Sequence, residues 1–117
     1  MTPWGMSQSA EDIGGGIISY STAGHGGLFV PTPLLAEMPD ALRCNCYAGG
    51  NWWFEEDCEW ALVALAYPQY FTAEQMGYAI DTIRAFKTGT YAKAFKWLET
   101  SEAGRALTAK YMASVSA

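Results

Sequence analysis

Trp60-Ala61-Leu62-Val63-Ala64-Leu65-Ala66-Tyr67 is an unbroken apolar run, and Pro68 closes it. Crossing a bilayer takes about 20 such residues, so this run is too short to span a membrane. A helix built from it is apolar on every side and has no face to offer water. The pattern therefore predicts a central, buried helix over Glu55 to Tyr67, and the rest of the chain must fold around it. A chain of 117 residues is one domain's worth, long enough to bury roughly two thirds of its unfolded surface. Residues 1–117 are accordingly read as a single domain, β-rich over 1–54 and helical over 55–117.

Different signals organise the two parts. In the first, Thr2-Pro3-Trp4-Gly5 places an indole near the terminus, where it is expected to be pinned into the core. Gly14-Gly15-Gly16 marks a break. Ile17-Ile18-Ser19-Tyr20 and Leu28-Phe29-Val30 then read as short strands, rich in β-branched and aromatic residues. Glycines between them supply the positive φ angles that a hairpin needs. Thr32 is expected to cap a short helix with Pro33 in its first turn, running to Met38, where Pro39 stops it. Tyr47 or Trp52 to Phe54 is a candidate third strand.

The second part is helical. Thr72 and Gln75 form a capping-box pattern, and Met76, Ala79, Ile80, Ile83 and Phe86 recur at helical spacing. Gly89 breaks the chain, and Tyr91, Ala94, Phe95 and Leu98 line one face of a further helix. Ser101 is expected to cap a last helix with Ala103, Ala106, Leu107 and Tyr111 inward. Gly104 there reads as a weak point, costing about 1 kcal/mol relative to alanine. The expected fold class is α+β, a small antiparallel sheet built on an N-terminal hairpin and packed against three or four C-terminal helices.

Charge is distributed unevenly. Residues 1–83 carry ten acids and one base, Arg43, while residues 84–117 carry two acids and six bases. The acidic body makes nucleic acid an unlikely partner, because phosphate contacts need lysine and arginine. The basic C-terminal residues are read first as a solvated helical surface. The first residues show no basic stretch leading into an apolar one, so no secretory signal is expected. Three cysteines, two of them one residue apart, argue against a disulfide framework and for a reducing, cytoplasmic compartment.

Two segments could carry chemistry. Ser21-Thr22-Ala23-Gly24-His25-Gly26-Gly27 holds the one histidine of the chain. Its imidazole could serve as general base or acid, or could simply stitch the hairpin to its surroundings. Trp52-Trp53-Phe54-Glu55-Glu56-Asp57-Cys58-Glu59-Trp60 packs four carboxylates ahead of the apolar run. Acids in a first helical turn are favoured by the helix dipole. Glu55 and Glu59 would then share a face, able to hold a hard cation or to meet a partner. A spatial expectation joins the two segments: the loop bearing His25 lies against this acidic block. Cys44, Cys46, Cys58 and His25 make a nominal zinc set, but the single residue between Cys44 and Cys46 is tighter than zinc sites use. No metal and no cofactor is expected. No nucleophile elbow and no phosphate-binding glycine loop is present.

Taken in order, Thr2-Pro3-Trp4-Gly5, Gly16-Ile17, Ser21-Thr22-Ala23-Gly24-His25-Gly26-Gly27 and Glu55-Glu56-Asp57-Cys58-Glu59-Trp60-Ala61 resemble an uncharacterised domain family of bacteriophages, prophages and plasmids. The resemblance covers residues 2–85, and Cys44-Asn45-Cys46 departs from it. It implies a small intracellular accessory protein of a mobile element, with no activity to carry over. The expectation is therefore a cytoplasmic protein that acts by binding a host protein or complex. Its role would be to inhibit a host defence, in the manner of an anti-CRISPR or antirestriction protein, or a regulatory complex. Trp52, Trp53, Glu55, Glu56, Asp57 and Glu59 would form the contact surface. The alternative is a small hydrolase or transferase, with His25 as general base and Glu55, Glu56 or Asp57 orienting it or holding a cation. A virion component is a third reading.

Overall fold

Polar residues build the first strand. In the computed structural model, which describes residues 8–21, 26–43, 53–55, 59–85 and 89–116, strand β1 covers Ser9–Gly14 and pairs antiparallel with β2, Ile17–Ser21. Ser9 to Asp12 are exposed, as suits an edge strand. The glycine triplet is thus the turn of a hairpin. Gly14 faces Ile17, leaving Gly15 and Gly16 as a two-residue loop with φ of 63° and 89°. Positive φ at both central positions is what a type I′ turn demands, and glycine meets it without strain. The Asp12 carboxylate accepts a hydrogen bond from the Gly14 amide at 2.8 Å, beside an irregularity in register between these two residues. At the other end of the hairpin the Ser9 and Ser21 hydroxyls meet at 2.6 Å.

The chain continues as a meander. β3, Gly26–Phe29, pairs with β2, and β4, Trp53–Glu55, pairs with β3, giving the strand order β1-β2-β3-β4 with every neighbour antiparallel. Between β3 and β4 lie helix α1, Thr32–Glu37, and a 3-10 turn at Asp40–Leu42. Pro31, not Thr32, is the residue before the first turn of α1, and no side chain caps it. Pro31 is extended and already takes the cap position, so Thr32 is the first residue of the helix. Ile17, Leu28, Val30, Leu35, Met38, Leu42 and Phe54 are buried.

The chain forms two compact units, residues 1–60 and 61–117. Helix α2, Trp60–Ala66, runs over the boundary and is buried from Ala61 to Leu65, as an all-apolar helix must be. It begins five residues later than the sequence pattern predicts, since Glu55 belongs to β4. Pro68 opens a 3-10 turn through Tyr70. Helix α3, Ala73–Ala85, then starts on the predicted capping box. The Thr72 amide donates to Gln75 Oε1 at 2.9 Å and the Gln75 amide to Thr72 Oγ1 at 3.1 Å. Met76, Ala79, Ile80 and Ile83 are its buried stripe.

Helices α4, Ala92–Thr100, and α5, Glu102–Ser116, complete the second unit, and α3, α4 and α5 contact one another pairwise. Ser101 joins the last two helices. Its amide closes α4 by donating to the Trp97 carbonyl, and its hydroxyl accepts from the Gly104 amide at 2.9 Å to start α5. The inward stripe of α5 differs from expectation: Ala103 and Ala106 are exposed, Gly104 is buried, and Leu107, Thr108 and Tyr111 are half-buried. The cause is backbone proximity. A Cβ on Gly104 would stand 2.5 Å from the Trp97 carbonyl oxygen and 2.6 Å from Leu98 Cα. Gly104 is therefore what allows α5 to fold back against the end of α4.

The architecture is α+β, with an antiparallel sheet first and helices after it. The expected placements of Trp4, Tyr47 and Phe86 lie outside the described residues.

Two glycines give opposite predictions. Gly77, in α3, has open space where its Cβ would be, so Gly77→Ala should stabilise the protein by about 0.5–1 kcal/mol. Gly104→Ala should instead destabilise it by about 1–3 kcal/mol, the usual range for forcing atoms into a packed contact. Denaturant unfolding of the two variants checks both signs.

Candidate functional site

The sheet register decides how much of the expected site comes together. Gly27 faces Glu55, Leu28 faces Phe54 and Phe29 faces Trp53. Because β3 and β4 are antiparallel, the end at which β3 begins is the end at which β4 finishes. Gly26 opens β3 there, bonded in sequence to His25, and pairs with Ser21 on its other side. Glu55 closes β4 at the same end and leads into Glu56. The described residues of the two segments, Gly26 and Gly27 in one and Glu55 in the other, thus lie at one end of the sheet.

Packing pins this arrangement. Phe54 is fully buried and sits between Trp53 and Glu55 in β4. Leu28, its cross-strand neighbour, is also buried, and so are the backbones of Gly26 and Gly27. A slip by one residue would drive Phe54 to the opposite face of the sheet, so burial of that ring fixes where Glu55 lies.

One chemical expectation changes. Glu55 is a strand residue, not part of a first helical turn, and the first turn of α2 contains no acid. Glu59 is half-buried, immediately before α2. The spacing of four between Glu55 and Glu59 therefore does not put them on one helical face. Alternation of Trp, Phe and Glu is the signal for a strand, but the acids that follow it favour a helix start, and the two readings compete over the same residues.

His25, Trp52, Glu56 and Asp57 lie outside the described residues, as do Cys44, Cys46 and Cys58 of the nominal zinc set. Among the described residues, no group of three or more histidine, cysteine, aspartate or glutamate side chains could hold a metal ion. No described helix is long and apolar enough to cross a membrane.

Sequence reasoning missed a second feature, in the helical unit. A cleft of about 550 Å³ lies between α3 and α5, with Glu74, Gly77, Tyr78 and Asp81 on one wall and Lys110 and Tyr111 on the other. The signal was available, since positions 74, 77, 78 and 81 fall on one helical stripe, but a single chain gives no reason to treat a second stripe as uncovered.

Truncating the ring that locks the register, Phe54→Ala, should cost about 3–5 kcal/mol, as for other fully buried aromatic side chains. Thermal unfolding would check this, and a loss below 1 kcal/mol would mean that the β3–β4 pairing does not depend on this ring.

A profile of a domain of unknown function, DUF7007, matches residues 1–116. No curated protein and no solved structure matches the chain. With the profile covering nearly every residue, the protein belongs to the DUF7007 family.

Proposed function

We propose that this protein acts by binding another protein, as an accessory factor of a phage or other mobile element that inhibits a host defence or regulatory complex. One observation carries the reading: the negative charge of the first 83 residues is largely left open. Glu11, Asp12, Glu37, Asp40, Glu74 and Asp81 are exposed, and of these six only Asp40 has an ion-pair partner among the described residues, Arg43. Arg43 is the single base of that region and is consumed locally, three residues from its partner. Unpaired surface carboxylates contribute little to folding but present a field to an approaching cation-rich surface. A host site built to receive nucleic acid is such a surface, and an acidic protein can compete for it by electrostatic complementarity.

The contact surface in this reading is the sheet end that leads into Glu55, Glu56, Asp57 and Glu59, with Trp52 and Trp53 as anchors. Reversing the four acids to lysine should abolish capture of the partner from host lysate while circular dichroism remains unchanged. Capture that survives the reversal would remove this surface from the account.

The placement of Gly26 and Glu55 at one end of the sheet supports a second reading. In it the protein is a small hydrolase or transferase, with His25 as general base and Glu55, Glu56 or Asp57 orienting the imidazole or holding a cation. His25→Ala separates the two readings. The binding reading expects the folded variant to keep its full biological effect, whereas an enzyme would lose about 100-fold or more.

A further inference from the structure

Helix α3 carries two stripes. One, Met76, Ala79, Ile80 and Ile83, is buried. The other, Glu74, Gly77, Tyr78 and Asp81, has the same i, i+3, i+4, i+7 spacing and forms one wall of the α3–α5 cleft. Tyr78 at its centre is 59 % exposed and is the large apolar side chain left to solvent among the described residues. Gly77 beside it has nothing within 4 Å of a built Cβ. Nothing in the described structure requires glycine there, yet glycine weakens a helix interior by about 1 kcal/mol relative to alanine. Across the cleft, the Lys110 ammonium lies 5.2 Å from the centre of the Tyr111 ring. Neither Glu74 nor Asp81 has a cation within salt-bridge distance among the described residues.

We propose that the α3–α5 cleft is a docking groove for a basic amphipathic helix of a protein partner, with Gly77 kept small so that the incoming backbone can come close. A bare glycine flanked by an exposed aromatic ring is what a third helix needs to approach a helix pair. The charges select the occupant. Glu74 and Asp81 are seven residues apart, which is about 10.5 Å along the helix axis. A partner helix lying alongside α3 has the same rise, so lysines or arginines seven residues apart on its flank meet both carboxylates at once. Its opposite flank faces Lys110 and accommodates an acid. The groove is independent of the sheet end at Glu55 to Glu59, and either surface can fail without the other.

The test uses the full chain and two synthetic 18-residue helices. One carries a leucine–alanine stripe flanked by lysines seven residues apart, and its twin has glutamates in place of the lysines. The lysine peptide should shift the amide resonances of Gly77, Tyr78, Asp81 and Tyr111 saturably, and the glutamate twin should bind at least about tenfold more weakly. Glu74→Lys combined with Asp81→Lys, both at exposed positions, should reverse that preference. Gly77→Leu, which fills the open space, should abolish the shifts while leaving the unfolding temperature equal or higher. Three results would overturn the proposal: no saturable shift at these residues, a peptide preference that the double reversal leaves unchanged, or a concentration-dependent dimer that covers Tyr78 without any peptide.

Discussion

Pairing of β3 with β4 is the constraint on which the rest of the first unit depends. Three residue pairs make that contact, and Phe54 at its centre is completely buried. A strand of three residues has few hydrogen bonds with which to hold its place. Burial of one large ring supplies the missing specificity, because alternation ties a shift by one residue to expulsion of that ring from the core. With the register held, two segments far apart in sequence enter and leave the sheet at one end. Gly26, where β3 begins, and Glu55, where β4 finishes, are therefore at the same end of the sheet.

Local signals were the most legible in the sequence. The Thr72–Gln75 capping box forms with both reciprocal hydrogen bonds, because everything it needs lies within four residues. Pro68 ends α2 for the same reason. Strand β1 was not legible. Ser-Ala-Glu-Asp-Ile-Gly has neither alternation nor β-branched enrichment, and it is a strand because β2 is beside it. Glu55 was misread for a related reason. Its acidic followers suggest a helix start, whereas β3 recruits it into the sheet. Tertiary pairing outweighs propensity in both cases, and pairing cannot be read from one chain segment at a time.

Glycine makes the same point more sharply. Gly77 and Gly104 both sit in helices, and a propensity scale assigns them one cost. In the structure they have opposite meanings. Gly104 is the place where α5 touches the backbone of α4, and a side chain there has no room. Gly77 has all the room it could use. The first is explained by the fold of this chain, whereas nothing among the described residues calls for the second. For the candidate site, the strand that ends in Phe54 was legible, but the strand geometry of Glu55 and the α3–α5 cleft were not.

The distribution of charge ties the fold to the proposed role. Among the described residues, the exposed acids Glu11, Asp12, Glu37, Glu74 and Asp81 have no ion-pair partner, whereas Arg84 stands 3.8 Å from Glu99. Electrostatics of this kind does little for stability and much for recognition. A shared site at the sheet end, and with it the second reading, requires that His25 and the acidic stretch lie at one locus in solution. The most direct measurement is a set of nuclear Overhauser contacts from the imidazole, whose resonances are unambiguous because the chain has a single histidine. The account predicts contacts from the His25 ring to the amides of Glu56 or Asp57. Contacts confined to the β1–β2 side of the sheet, with none to residues 55–59, would contradict it.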